Sequence, residues 1–359
     1  MTGERFKHGG DVWQGEGPEH WIDFSANLNP DGPPEVVVQA ARDAANHMWC
    51  YPDIRMEAAA SGLSKFLGVP GEEVLPTAGG IAALEIAASL AATGTAIVAQ
   101  PGFVEYERIS QLRGLDVVHV RTLRERQIIP AGPALASALR PGAIVWLGNP
   151  SNPSGAACSR EQILALLDAV EQAGGTLIVD EAFVDYSPEV TVRHDVAAHP
   201  SLLVTGSLTK ILAVPGARLG YLCARSDVIQ TARRMQSPWS LNAFAAAIAA
   251  VLPATSSETA RAVATNAVRR EELSRELTRV GIYVFPSHAN FLLLDVSGTG
   301  CTGPELASRL RSRGILIRDC SAYVGLDSRY VRVAVRSSKD NRRLVDELRR
   351  IVKMGNEEE

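Results

Sequence analysis

The chain has 359 residues, of which 46% are apolar and 21% charged, with a formal net charge of −4. That length suits one large and one smaller core, and the mild acidity, without a basic stripe, argues against a nucleic-acid partner. The longest clean apolar run, 243–252, stops at Pro253 and falls short of the roughly 20 residues that span a bilayer, so no membrane partner is expected.

At the amino end, MTGERFKHGGDVW reads as neither a signal nor a transit peptide. The Pro- and Gly-rich opening through NLNPDGPP reads as an arm, residues 1–30, lying over another part of the molecule. In PTAGGIAAL a helix starts at Gly79–Gly80, where free backbone N–H groups suit a phosphate. The runs AIVAQ (96–100), AIVWLG (143–148), TLIVDEA (176–182), SLLVTGS (201–207) and RLGYLCA (218–224) lack polar alternation. They read as buried strands, in the manner of parallel strands covered on both faces. Between two of them Ser159 and Gln162 make a capping box, followed by an Ile163, Leu166, Leu167, Val170 stripe and closed by Gly174–Gly175.

Beyond about residue 255 the pattern changes. A long polar-faced helix (about 257–280) leads to strand NFLLLDV, helix GPELASRLRSRG, strands GILIRDC and YVRVAVR, and a last helix with Leu344, Val345, Leu348, Ile351 and Val352 inward. The expected fold is α/β: a mostly parallel central sheet with helices on both faces in 31–254, plus a smaller α+β unit in 255–359. Five dispersed cysteines with no C-x-x-C pair, and no histidine at ligand spacing, fit a reducing cytoplasm and packing roles rather than disulfides or a metal site.

Ligands in such sheets bind at the carboxyl ends of the strands, and the unusual residues cluster there. Asp180 ends TLIVD, the loop NPSNPSG (149–155) follows AIVWLG, and Lys210 follows SLLVTGSLT with Arg218 eight residues on. A lysine among small and apolar residues is poorly solvated and is kept where it is paired or used. Gly-Gly, an aromatic, Asn, Asp, Ser-x-x-Lys and Arg on successive strand ends have one coherent chemical use, which is to hold pyridoxal 5'-phosphate. A lysine amine holds that cofactor as a Schiff base and moves protons, a carboxylate keeps the ring nitrogen protonated, and hydroxyls, amides and an arginine hold its phosphate.

These residues resemble the fold-type I aminotransferases over nearly the whole chain. NPSNPSG, DEAFVDY and SLTKILAVPGARLGY are similar to the histidinol-phosphate aminotransferase group. HGGDVW, IDFSANLNP (22–30), PGFVEYER (101–108), SPWSLNAFAA (237–246) and ILIRDCSAYVGLDSRYVRVAVR (315–336) most resemble its threonine-phosphate decarboxylase branch. The resemblance implies that Phe103 stacks on the cofactor ring, Asn152 contacts the ring oxygen and Asp180 pairs with the ring nitrogen. It assigns Ser207, Thr209, Arg218 and the amides of Gly79 and Gly80 to the cofactor phosphate. It implies a homodimer in which Tyr51 reaches the neighbouring subunit's cofactor. It gives His8, Asn27, Arg318 and Arg332 to the phosphate and carboxylate of a small phosphorylated amino acid, dianionic groups that arginine forks suit.

The chain departs from the family pattern at three places: Gly79–Gly80 stands for a usual G-N-G, Phe183 for a Tyr, and Ala322 and Val324 for Asn and Pro. The cofactor machinery leaves two reactions open. Whichever bond to the α-carbon stands perpendicular to the ring breaks, giving transamination or decarboxylation, and orientation by the clamping residues decides. Decarboxylation of threonine phosphate or of serine phosphate, and a histidinol-phosphate-type transamination, are the three readings carried forward.

Overall fold

The computed structural model describes residues 8–13, 17–91 and 94–357. Its centre is a seven-strand sheet in the order Val74–Thr77, Gly220–Cys223, Leu202–Ser207, Thr176–Asp180, Ile144–Gly148, Thr95–Gln100, Asp116–Arg121. The four inner strands from Leu202–Ser207 to Thr95–Gln100 pair in parallel and are buried almost throughout, because helices cover both faces. The edge strand Asp116–Arg121 is buried only at Val120.

One expectation needs correction. Gly220–Cys223 is as buried as its neighbours yet runs antiparallel to both. A continuous apolar run signals cover on two faces, and that cover does not depend on strand direction.

The helix at Ser159 forms as its sequence dictates, Arg160–Gln172, with both halves of the capping box in place. Helices Glu57–Leu67 and Ala243–Val251 cross so closely that a Cβ on Gly62 would lie 2.0 Å from the Ala249 carbonyl oxygen. The helical stretch Ala243–Arg279 is long and apolar enough, by length and composition, to cross a membrane. It is broken by the turn Leu252–Thr255 at Pro253, with Ser256–Arg279 beyond. Its residues Ala245, Ile248, Ala249 and Leu252 lie in the core around the large sheet, while Leu273 and Leu277 lie in a second core.

That second core is lined by a four-strand antiparallel sheet, Tyr283–Val284, Phe291–Asp295, Tyr330–Ala334, Arg318–Asp319. The run GILIRDC is divided between two partners. Ile315–Leu316 pairs in parallel with Ile22–Asp23, and Arg318–Asp319 pairs with Tyr330–Ala334. The amino-terminal segment is thereby sewn to the carboxyl-terminal layer, and Phe24 is fully buried in its core. The closing helix Ser338–Glu357 buries Leu344, Val345, Leu348 and Ile351, whereas Val352 is half-buried rather than inward.

Gly62→Ala must push the two helices apart, and overpacking of this kind lowers stability by about 1–3 kcal/mol. The urea midpoint of the full chain reads this directly, and an unchanged midpoint would show that the helix pair yields freely.

Candidate active site

The parallel strands all end on one edge of the sheet, and that edge floors a cleft of about 1030 Å³. Gly220–Cys223 starts at the same edge because it runs the other way, which is how Arg218 arrives beside residues that follow strand ends. His8, Asn27, Gly80, Phe103, Asn152, Asp180, Ser207, Lys210, Arg218 and Arg332 all line this cleft.

Lys210 sits half-buried on the floor, its Nζ donating to Thr209 Oγ1 at 3.1 Å, and the Ser207 and Thr209 hydroxyls are 2.8 Å apart. Burial lowers its pKa to about 8; the Arg218 charge acts the same way, and Asp180 opposes both. Asp180, buried at the end of its strand, is raised by burial against the hydrogen bonds from Tyr106 and the Ala182 N–H and the charge of Lys210.

Beside the lysine is an anion cup. Helix Gly80–Leu90 opens after Gly79, whose φ of 83° suits glycine. A Cβ on Gly79 would meet Arg218 Nη2 at 2.8 Å, and one on Gly80 would come within 3.1 Å of Ser207 Cβ. The two glycines let a guanidinium and a hydroxyl close on the free amides of a helix start, which is a phosphate-binding arrangement.

On the other side, one Arg332 Nη donates to Asn152 Oδ1 and the other to the Ser25 carbonyl at 2.6 Å. Burial lowers the Arg332 pKa, reinforced by the neighbouring Arg318. Asn27 Oδ1 and Arg332 Nε are buried and have no partner among the described residues. A bound polar ligand is one way such atoms are satisfied. His8 Nε2 is 3.0 Å from Glu105 Oε1, and Arg108 holds the other oxygen of that carboxylate at 2.5 Å.

Some expected residues stand elsewhere. Arg318 does not line the cleft, but it pairs directly with Arg332 on the neighbouring strand, so the two side chains share one face of the small sheet, and its guanidinium is 5.5 Å from the Tyr323 ring. Gly79 and Thr209 support the cup from behind its lining. Tyr51 is 76% exposed and stacked on Trp239 at 4.5 Å, away from its own chain's cleft. Sequence reasoning missed Glu105, Tyr106 and Arg108, although PGFVEYER was read for Phe103. A tyrosine three residues beyond Phe103 shares its helical face, and that spacing was the available signal.

Residues 19–348 match the family aminotransferase class I and II. The threonine-phosphate decarboxylase of Salmonella typhimurium is 35% identical over 357 residues, covering 96% of each chain. Among solved structures, the histidinol-phosphate aminotransferase from Clostridium acetobutylicum superposes with a TM-score of 0.85 at 25% identity, over 92% of this chain and 99% of that one. L-threonine-O-3-phosphate decarboxylase from Porphyromonas gingivalis does so with a TM-score of 0.80 at 25% identity, over the same shares. The chain belongs to the class I and II aminotransferase family, whose cofactor is pyridoxal 5'-phosphate. The residues present fit that cofactor: an amine of lowered pKa, a buried acid across from it, and an anion cup whose glycines leave room for Arg218 and Ser207.

A lysine amine must be neutral to attack an aldehyde. In cofactor-depleted protein, capture of pyridoxal phosphate by Lys210 is expected to rise about tenfold per pH unit below 8 and level off above about 8. A rate still climbing toward the ordinary lysine value of about 10.4, followed by absorbance, would mean the cleft does not tune the amine.

Proposed function

We propose that this class I and II aminotransferase-family enzyme decarboxylates L-threonine O-3-phosphate to (R)-1-aminopropan-2-ol O-phosphate and CO2, a step of cobalamin biosynthesis. The observation that carries the reading is the amino-terminal segment. Its residues His8 and Asn27 line the cleft beside Arg332, and the motifs they belong to, HGGDVW and IDFSANLNP, resemble the decarboxylase branch. The 35% identity to the Salmonella enzyme along almost the whole chain supports it.

Bound through its aldehyde, the cofactor supplies an electron sink for the pair left when a bond to the substrate's α-carbon breaks. The chain's own residues do the rest. Asp180 holds a proton on the ring nitrogen, Phe103 covers the ring face and Asn152 contacts the ring oxygen. Ser207, Thr209, Arg218 and the amides of Gly79 and Gly80 hold the phosphate of the cofactor. Lys210, with a pKa of about 8, can hold a proton near neutrality and return it to the α-carbon after CO2 has left.

Arg332, Arg318, Asn27 and His8 bind the substrate's two acidic groups and so orient the carboxylate rather than the α-hydrogen for cleavage. In this assignment 31–254 carries the cofactor, 255–359 the arginines, and 1–30 the closing arm. The exposed apolar residues Met48, Trp49, Tyr51 and Ile54, with Met235 and Trp239, suit burial against a second copy. There Tyr51 would reach the partner's cofactor.

A transaminase reading is favoured by the TM-score of 0.85 to a histidinol-phosphate aminotransferase. Serine phosphate is a further competitor, since one substrate methyl is worth only about 1–3 kcal/mol of discrimination.

Cofactor-loaded protein is to be incubated with L-threonine O-3-phosphate, with and without 2-oxoglutarate, and the products identified by NMR. Aminopropanol phosphate forming without the keto acid is the expected result. Glutamate appearing only with 2-oxoglutarate, and no aminopropanol phosphate, would replace the decarboxylase by an aminotransferase.

A further inference from the structure

Asp180 is held from three directions. Its Oδ1 accepts the Ala182 N–H at 3.1 Å, its Oδ2 accepts the Tyr106 hydroxyl at 2.8 Å, and Lys210 is the cation that faces it. The next residue along, Glu181, turns to the opposite face of the strand. There Thr191 and the Val192 N–H bond it, and Arg193 supplies the countercharge. The titratable groups facing Asp180 are therefore Tyr106, from helix Val104–Leu112, and Lys210, from the loop after Leu202–Ser207.

Tyr106 is fixed as firmly as any side chain near the cleft. It is 3% exposed, and its ring lies flat on Trp146 with centroids 5.2 Å apart and planes 7° from parallel. The Trp146 indole N–H donates to Ser110 Oγ at 3.0 Å, and that hydroxyl donates to the Tyr106 carbonyl at 2.7 Å. Ring, indole, hydroxyl and backbone thus form a closed circuit that leaves the phenol one direction to point. Burial and the neighbouring carboxylate raise the Tyr106 pKa well above its ordinary value, so the phenol remains a donor across the working pH range.

We infer that Tyr106 is a positioning residue for Asp180: its hydroxyl fixes one carboxylate oxygen and holds the acid in its ionised form, so that a proton shared with the cofactor stays on the ring nitrogen. A buried carboxylate stripped of this donor has greater affinity for a proton, because desolvation acts unopposed at that oxygen. The shared proton would then move from the ring toward Asp180, and the ring would be a poorer electron sink. This inference rests on the proposed placement of the ring nitrogen at Asp180.

The test is Tyr106→Phe, which keeps the ring on Trp146 and removes only the oxygen, with Asp180→Asn and the double variant as references. Two readouts are taken on the full chain. The first is urea unfolding without added cofactor between pH 4 and 8. Tyr106 stabilises the ionised acid, so the loss of urea midpoint in Tyr106→Phe is expected to be full near pH 8 and to fade as the pH falls through the range where folded Asp180 takes up a proton. In the Asp180→Asn background the same change is expected to show no such pH dependence. The second is the ring-nitrogen chemical shift of 15N-labelled pyridoxal phosphate in the loaded protein, expected to be that of a protonated ring in the parent and to move toward the neutral value in Tyr106→Phe.

A pH-independent loss of midpoint, or an unmoved nitrogen shift in the variant, would overturn the inference and reduce Tyr106 to packing. A pH-dependent loss together with an unprotonated ring in the parent protein would instead overturn the placement of the ring nitrogen at Asp180.

Discussion

The site is organised around a single electrostatic constraint, a lysine amine that must sit in a desolvated floor and remain chemically available there. Burial favours the neutral form, and two arginines within its field act in the same direction. Asp180 opposes them, and it is itself raised by burial. Among the described residues neither charge is neutralised in place by a direct salt bridge. The lysine's hydrogen bond goes to a hydroxyl, and the acid's go to a phenol and an amide. An acid and a base kept apart but within one field are poised to exchange protons with something placed between them, which is the arrangement acid–base work requires.

Keeping them apart is the task of the sheet. Strand Thr176–Asp180 is central, and its pairing to both neighbours fixes the Cα of Asp180 opposite Gly148 on one side and Thr205 on the other. On the far face Glu181 is anchored by Thr191, the Val192 N–H and Arg193, while Arg193 Nη1 also donates to the Tyr221 hydroxyl at 3.3 Å. Burial raises Asp185, in the same charged cluster, to about 6. Glu181, Asp185 and Arg193 do not line the cleft that Asp180 faces. Their network resists rotation of the strand end, since moving Asp180 toward the cleft would pull Glu181 out of its bonds and leave a buried charge unpaired.

Much of this was legible in the sequence because the signals are local. A run such as TLIVD states that both faces are covered and that an acid follows, and Ser159 with Gln162 states a helix start. Lys210, Asp180, Asn152 and Arg218 were placed in one cleft from strand ends alone, since the rule that ligands bind there needs no side-chain geometry. What was not legible depends on residues distant in the chain. The reversed direction of Gly220–Cys223 follows from sheet order rather than from its composition. The partnership of Tyr106 with Asp180 spans 74 positions, and that of Arg332 with Ser25 spans 307. Arg318 reads as a second clamp from its motif, and only strand pairing shows that it stands directly beside Arg332 on the small sheet.

The long-range bonds divide the labour of the molecule. Residues proposed for the cofactor project from the large sheet, whereas those proposed for the substrate belong to the small sheet and the amino-terminal segment. Those two are tied together, because Ala334 N–H donates to the Phe24 carbonyl at 2.8 Å, Arg336 to the Asp23 carbonyl at 3.0 Å, and Arg332 to the Ser25 carbonyl, while Asn29 N–H ties the same segment to the Lys210 carbonyl at 3.0 Å. Strand pairing of Ile22 with Ile315 completes the seam. Among the described residues, Arg332 reaches the large-sheet side by its hydrogen bond to Asn152, the residue proposed for the ring oxygen of the cofactor. In the proposed reading the bond that breaks is the one held perpendicular to the ring, so orientation by the residues across this seam decides which reaction follows.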